Sequence, residues 1–344
     1  MKCILTVLLI LVVNSAFSQN ASHLTSGVHL SSVGNFRLES GSEIRDCQIG
    51  YRIHGRLNEA RSNAIVFCTW YGGDAAGVES TNPWPAVDTT KYCLIIIDAL
   101  GDGTSASPSN SKEQHGVAFP KFTVRDMVNS QHELLTNKLQ LKHVKAVMGI
   151  SMGGIQTFQW AVSYPDFMDA LIPIVGSPQP TSFDLMLCNT VKQVIDADPG
   201  YNHGNYQTNP PVAAATMLWD LFLTTPTNRV KTASRADVSR WVEEVKTRKV
   251  RDWNDTYYQL IALLAHDITI PFNHSLKEAA AHVKARMLII SSLQDHMVNP
   301  TPAIEFSKLL PSKLIVLDDD KGHLAPNFGI PSIKNGIAEV LEGK

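Results

Sequence analysis

The chain has 344 residues, of which 44 % are apolar and only 18 % are charged. This length and composition fit one large domain with an insertion and a substantial buried core. The formal net charge of −2 argues against nucleic acid or an anionic membrane surface as a partner. We find no internal repeat, heptad series or low-complexity tract.

The first residues predict an export signal. Lys2 supplies a basic start, residues 4–13 form an apolar run, and Ala16-Phe17-Ser18 fits a small-x-small cleavage site. The run is too short to span a bilayer comfortably. We therefore predict a signal peptide over residues 1–18 and a secreted or periplasmic mature protein. A membrane anchor or a buried helix is the alternative.

Short apolar runs along the chain predict the strands of a sheet. The first two are expected to form an antiparallel edge, and the later ones alternate with helical stretches. This alternation predicts an α/β fold whose mostly parallel sheet has helices on both faces. The predicted strands are residues 34–38, 45–54, 63–69, 92–97, 144–148, 170–175, 286–292 and 313–317.

A helical insertion interrupts this core. Residues 178–284 contain helical stretches and many aromatic side chains, whereas residues 19–177 and 285–344 carry the strands. We predict that the insertion forms a lid whose aromatic side chains wall a hydrophobic, partly enclosed pocket.

Residues 149–154 read Gly-Ile-Ser-Met-Gly-Gly and match the G-x-S-x-G pattern of a nucleophile elbow. An apolar strand precedes the pattern, and a helical run that stops before Pro165 follows it, which is the context this motif requires. The glycines permit a turn so sharp that side chains would collide there. Ser151 is thus the predicted nucleophile, and a plain glycine-rich turn is the alternative.

A catalytic serine needs a base and a carboxylate that orients the base, and in this fold they follow in the order Ser, Asp or Glu, His. Asp295 lies just past the strand 286–292, and His323 lies in the loop after the strand 313–317. We predict the triad Ser151, Asp295 and His323. Competing acids are Asp267 and residues 318–320, and His296 is a rival base.

The third requirement is an oxyanion hole. One donor is expected to be the backbone N–H of Met152, the residue after the nucleophile. The second is expected in the loop after the strand 63–69, where we favour the Trp70 N–H and keep Tyr71 as the near alternative. No spacing among the histidines resembles a zinc site, and we predict neither a metal nor a cofactor.

Four cysteines follow the predicted cleavage site. One disulfide would be compatible with an oxidising compartment, but four cysteines allow three pairings and the sequence does not choose among them. Cys68 and Cys93 lie in predicted strands and are expected to be small core residues. The other two are Cys47 and Cys188.

Two segments resemble the homoserine O-acetyltransferase family. Residues 122–128 read Phe-Thr-Val-Arg-Asp-Met-Val, and Gln131 and a Leu-Leu pair follow before the Ser-Met-Gly-Gly elbow. The resemblance covers residues 65–178 and resumes over 288–326. It implies an α/β-hydrolase core, a helical lid, an acyl-serine intermediate and often a homodimer, and its triad falls on Ser151, Asp295 and His323.

The chain also departs from that family's pattern. Ile150 replaces a glycine, Trp70-Tyr71-Gly72 replaces the Leu-Thr-Gly oxyanion segment, and Leu324 replaces the aspartate that holds the amino group of homoserine. These departures predict a relative that keeps the acyl chemistry and changes the acceptor.

We therefore predict an exported serine hydrolase that cleaves a small ester or related acyl compound through an acyl-Ser151 intermediate. Export favours water as the acceptor, because an exported enzyme rarely meets acetyl-CoA. The alternatives are an acyl-CoA-dependent O-acyltransferase and, from another class, a non-catalytic hydrolase-fold binding protein.

Overall fold

The computed structural model describes residues 27–344, so the predicted signal peptide lies outside the described residues. An eight-stranded sheet has the order β1-β4-β6-β5-β7-β8-β9-β10. In it β1 and β4 are antiparallel to their neighbours and the remaining strands pair in parallel. The strands of the described chain are β1 His29–Ser32, β2 Phe36–Arg37, β3 Glu43–Ile44, β4 Gln48–His54, β5 Ala64–Cys68, β6 Cys93–Ile97, β7 Val144–Ile150, β8 Met168–Ile174, β9 Arg286–Ser292 and β10 Ser312–Leu317.

Helices cover both faces of this sheet, which confirms the predicted fold class. They are α1 Ala75–Ser80, α2 Val124–Glu133, α3 Met152–Ser163, α4 Ser182–Asp196, α5 Ala213–Phe222, α6 Pro226–Thr232, α7 Asp237–Thr247, α8 Trp253–Leu264, α9 Leu276–His282, α10 Thr301–Ser307 and α11 Pro331–Leu341. Within residues 27–344, no helix is both long enough and apolar enough to cross a membrane.

One predicted strand is wrong in its position. The run 34–38 was expected to join the edge of the main sheet, but β2 pairs only with β3 in a separate two-stranded sheet. The edge position belongs to β1, which pairs antiparallel with β4. With only two residues, β2 makes too few hydrogen bonds to extend a large sheet. Strand β1 is mostly polar, so its sequence does not show the apolar run that predicts a strand.

The sheet separates two hydrophobic clusters, and β5 contributes to both. Ala64, Val66 and Cys68 face one cluster, whereas Ile65 and Phe67 face the other. Successive side chains of a strand point to opposite faces, so a strand that is buried on both sides is apolar throughout. All five residues of β5 are buried, as expected for a central strand.

The Arg-Asp pair of α2, which carries part of the family resemblance, has a structural role here. The Thr123 hydroxyl oxygen accepts a hydrogen bond from the Asp126 N–H, and the Asp126 carboxylate accepts one from the Thr123 N–H, which forms a capping box. Asp126 also accepts from the Glu39 N–H at 2.9 Å, and Arg125 pairs with the Glu39 carboxylate at 2.8 Å. These contacts fix α2 against the N-terminal part of the described chain.

Helices α4 to α9 occupy the stretch between β8 and β9 that the sequence assigned to a lid. Helices α4, α5 and α8 share a third hydrophobic cluster, which includes Leu187, Ala215 and Leu260 and also takes in Met297 from the loop after β9. The helical segment thus has its own core and rests on the carboxyl end of the sheet. Cys47, Cys68, Cys93 and Cys188 are all free thiols.

Candidate functional site

Ser151 stands at a sharp turn between β7 and α3. Its φ of 59° and ψ of −120° are sparsely populated for a residue with a side chain. A hydrogen bond of 2.9 Å from its N–H to the Ile174 carbonyl holds this conformation. A Cβ on Gly153 would lie 2.2 Å from the Cys68 carbonyl oxygen, and one on Gly149 would lie 2.5 Å from the Gly153 backbone. Glycine is therefore required at both positions.

The structure brings the three predicted triad side chains into one hydrogen-bonded row. His323 Nε2 lies 2.9 Å from Ser151 Oγ, and His323 Nδ1 lies 2.6 Å from Asp295 Oδ2. The His323 and Asp295 residues are only 6 % and 5 % exposed. A carboxylate at Nδ1 fixes the tautomer that leaves Nε2 free to accept the serine proton.

Backbone donors hold the carboxylate of Asp295 in place. Its Oδ1 accepts hydrogen bonds from the N–H groups of Met297 at 2.8 Å and Val298 at 2.9 Å. The other carboxylate oxygen, Oδ2, is therefore available for the hydrogen bond with His323 Nδ1. The loop after β10 reaches this position because Gly322 has a positive φ of 62°, and a Cβ there would lie 2.9 Å from the Gln294 carbonyl oxygen.

The rival acids have other partners. Asp267 caps the Thr269 N–H and hydroxyl at 2.7 Å and 2.6 Å. Asp318 accepts from Gln294 at 2.9 Å, and Asp320 pairs with Lys231. Each of these carboxylates stabilises a loop or a turn, so none of them is the group bonded to His323.

The two predicted oxyanion donors lie on segments that meet beside Ser151. Met152 is the first residue of α3, so its N–H has no acceptor within the helix. Trp70 follows the end of β5, and the close approach of Gly153 to the Cys68 carbonyl brings this loop against the start of α3. The indole of Trp70 packs over Gly73 and Gly77.

A small cavity of about 40 Å³ opens beside Ser151. Its wall is mostly apolar, and Tyr71 and His266 are among the residues that line it. Such a cavity holds only a few heavy atoms, since a single water needs on the order of 10–15 Å³ by the same measure. The lining residues are Tyr71, Ser151, Met152, Ile155, Ser177, Pro180, Asp184, Cys188, Trp219, Leu263, His266, Met297 and Val298.

A larger groove of about 350 Å³ adjoins this cavity and shares its Tyr71 and Trp219 walls. These two rings form a tilted pair with centroids 4.6 Å apart. Arg248 and Arg251 lie along the same groove, paired with carboxylates at 2.9 Å and 2.7 Å respectively.

Two titratable side chains of the small cavity were missed by the sequence analysis. Burial lowers the pKa of His266 to about 4, so the ring is neutral near pH 7 and its Nε2–H donates to the Ser177 carbonyl at 3.2 Å. Burial also raises the pKa of the Tyr71 hydroxyl well above its usual value. Both groups therefore contribute dipoles rather than charge. No local motif marks His266, which lies in the lid far from the triad in sequence.

Among residues 27–344, no cluster of three or more His, Cys, Asp or Glu side chains has the arrangement of a metal site. The groups hydrogen-bonded in a row from Ser151 are an imidazole and a carboxylate, an arrangement that can perform acyl transfer.

Comparison with known proteins supports the same chemistry. A family model described as the alpha/beta hydrolase fold matches residues 63–328. The chain is 29 % identical to an ethyl acetate hydrolase of Pseudomonas veronii, covering 86 % of this chain and 88 % of that protein. It is 28 % identical to a homoserine O-acetyltransferase of Haemophilus influenzae, covering 88 % and 95 % respectively. A solved structure of an acetylester hydrolase from Corynebacterium glutamicum has a TM-score of 0.82 at 28 % identity and covers 92 % of this chain and 96 % of that chain.

Proposed function

The chain belongs to the α/β-hydrolase fold family, and on that premise we propose that it is an exported serine hydrolase of small esters. The observation that carries the proposal is the row Ser151–His323–Asp295, with hydrogen bonds of 2.9 Å and 2.6 Å. Its relatives include both esterases and homoserine O-acetyltransferases, and both kinds of enzyme transfer acyl groups.

In the first half of the proposed reaction, Ser151 Oγ attacks the ester carbonyl carbon while His323 Nε2 takes the hydroxyl proton. The carbonyl oxygen becomes an oxyanion, and the N–H groups of Trp70 and Met152 are the proposed donors to it. The bond to the alcohol then breaks, His323 returns the proton to the departing oxygen, and an acyl-Ser151 ester remains.

The second half repeats these steps with water. His323 takes a proton from the water as its oxygen attacks the acyl carbon, and the second tetrahedral intermediate uses the same two donors. When the bond to Ser151 Oγ breaks, His323 reprotonates the serine and a carboxylic acid leaves. Asp295 stabilises the imidazolium in both halves without itself becoming protonated.

The substrate class follows from the size of the two spaces. The cavity of about 40 Å³ beside Ser151 suits a small acyl group such as acetyl, and the adjoining groove has room for a larger alcohol. Relatives whose names specify ethyl acetate or acetyl esters support a short acyl chain. Export rests on the signal-peptide pattern of residues 1–18.

A second candidate, an acyl-CoA-dependent O-acyltransferase, is favoured by the homoserine O-acetyltransferase relatives. Homoserine itself fits poorly as its acceptor. The residue after His323 is Leu324, which is 53 % exposed and offers no carboxylate to an amino group.

The test is turnover of p-nitrophenyl acetate by the purified mature chain, alone and with added homoserine, and transfer from acetyl-CoA to the same acceptor. We expect ester turnover that releases acetate and does not depend on the acceptor. Saturable acetyl transfer to homoserine that exceeds hydrolysis would instead establish the transferase.

A further inference from the structure

Gly72 is held on both sides by side chains of the helical segment. It lies in the loop after β5, two residues past the proposed donor Trp70. Its N–H donates to Gln259 Oε1 at 2.8 Å, and its carbonyl oxygen accepts from the Arg251 guanidinium. Gln259 belongs to α8 and Arg251 lies two residues before that helix, so both partners come from the segment between β8 and β9.

The same two side chains also reach the loop after β6. The Gln259 amide donates to the Leu100 carbonyl at 3.0 Å, and the Arg251 guanidinium donates to the Asp102 carbonyl and pairs with Asp74 at 2.7 Å. Gln259 is fully buried. Each side chain therefore ties two loops at the carboxyl end of the sheet to the helical segment.

These contacts constrain the backbone of the proposed oxyanion loop. The Gly73 N–H closes a turn onto the Trp70 carbonyl at 2.9 Å, and Gly72 inside that turn has a positive φ of 62°. Gly72 has no side chain that could anchor the turn, so its peptide groups are its only polar attachment points. Because the Gly72 N–H and the Gly72 carbonyl oxygen are both hydrogen-bonded, these contacts also restrain the peptide groups that precede Gly72 in the turn.

We infer that Arg251 and Gln259 are positioning residues that hold the oxyanion loop in its productive orientation, so that their contacts with Gly72, and not the other contacts of the helical segment with the core, control the reactivity of Ser151. The inference rests on the proposed function, since it assumes that the loop supplies an oxyanion donor. A preorganised donor stabilises the transition state because it needs no rearrangement when the charge develops.

Gln259→Leu tests the inference, because leucine has a similar size but makes neither hydrogen bond. Arg251→Lys is the second variant: it retains the positive charge opposite Asp74 and loses the planar fork that reaches two carbonyls. Ser109→Ala is the matched control. The Ser109 hydroxyl bonds Asp255 of α8 at 2.5 Å, so its loss also weakens a contact between α8 and the core but does not touch Gly72.

Three quantities are measured for each variant: kcat/KM for p-nitrophenyl acetate per active site titrated with a fluorophosphonate, the inhibition constant of a small aliphatic trifluoromethyl ketone, and Tm. Ser151 Oγ adds to the carbonyl carbon of the ketone, and the carbonyl oxygen becomes an oxyanion. The inhibition constant therefore reports directly on the proposed oxyanion donors. For Gln259→Leu and Arg251→Lys we expect kcat/KM to fall about 10- to 100-fold, the range of a small misplacement of catalytic groups. The ketone affinity is expected to fall by a similar factor.

Ser109→Ala should lower Tm and leave both kinetic quantities unchanged. Unchanged ketone affinity in the two positioning variants would overturn the inference, whatever happens to Tm. If Gln259→Leu does not fold, Arg251→Lys decides by the same comparison. An inactive wild-type protein would instead overturn the proposed function, so the two failures are distinguishable.

Discussion

Ser151 has a strained backbone conformation that its neighbours maintain. Its conformation is unfavourable for any residue with a Cβ, at a cost on the order of 1–3 kcal/mol. The turn persists because β7 and α3 are both held in the core and because the Ser151 N–H is bonded to the Ile174 carbonyl. Gly153 makes this possible by allowing α3 to begin against the end of β5.

Gly153→Ala should therefore damage both the fold and the site. The new methyl group would lie 2.2 Å from the Cys68 carbonyl oxygen, and a backbone atom in the centre of a sheet cannot move aside cheaply. We expect a loss of stability of roughly 1–3 kcal/mol or more, as for other overpacked core sites, together with a fall in kcat. Thermal unfolding and ester turnover measure the two effects.

Gly329→Ala is the control for this substitution. Its new Cβ would meet only the Asn327 side-chain oxygen, at 3.0 Å, and that exposed side chain can turn away. A Gly153→Ala protein as stable and active as Gly329→Ala would show that the close approach of α3 to β5 is not needed.

At the scale of elements, α8 joins the helical segment to the core through buried polar contacts. Asp255 accepts from the Ser109 N–H at 2.9 Å and from its hydroxyl at 2.5 Å. Burial raises the pKa of Asp255 to about 7, against these hydrogen bonds, which act to lower it. The contact is therefore sensitive to pH.

Whether stability rises or falls with pH depends on which state, folded or unfolded, holds the Asp255 proton more tightly. The unfolded chain releases the Asp255 proton near pH 4, whereas the folded chain keeps it to about pH 7. Between these values the folded state binds more protons, so the contribution of Asp255 to stability declines as the pH rises from about 4 to 7. Asn cannot ionise, and so Asp255→Asn should gain in Tm relative to the wild type as the pH rises.

Thermal unfolding of Asp255→Asn and the wild type at pH 5 and pH 8 measures this difference directly. We expect the variant to be relatively more stable by a few degrees at pH 8 than at pH 5. A difference in Tm that does not change with pH would mean that Asp255 is not the group that titrates.

The elements also show what local sequence can and cannot predict. The strand that ends at Ser292 and the strand that ends at Leu317 were visible as apolar runs, and parallel strands end at one edge of a sheet. That rule, together with the expected order Ser, Asp, His along the chain, predicted Asp295 and His323 near Ser151. By contrast, β1 is polar and short, and β2 is too short to join the main sheet, so the edge strand of the sheet was predicted wrongly.

The contacts between the helical segment and the core could not be predicted from apolar runs and strand ends. Gln259 lies 187 positions from Gly72, and neither residue belongs to a pattern that announces the other. His266 was likewise unmarked, because a buried histidine in a helical segment looks no different in sequence from a packing residue. Such contacts depend on how the segment is seated on the sheet, which periodicity does not encode.

At the scale of the whole molecule, the sheet positions the three proposed triad residues, and the helical segment supplies part of the wall of the cavity beside them. The core alone carries Ser151, Asp295 and His323 at the ends of β7, β9 and β10. The segment between β8 and β9 adds Trp219 and His266 to the wall of the small cavity. The small cavity and the wider neighbouring groove are therefore both lined by residues of the two parts.

The central claim is that Ser151 forms the covalent acyl intermediate. It is tested most directly by intact mass after treatment with a fluorophosphonate probe, with Ser151→Ala beside the wild type. We expect one adduct per wild-type chain, mapped to the peptide that contains Ser151, and no adduct on the variant. Ester turnover by the variant should fall by about 10⁴-fold or more while Tm is retained. Equal labelling of the two proteins, or an unlabelled wild type, would contradict the claim.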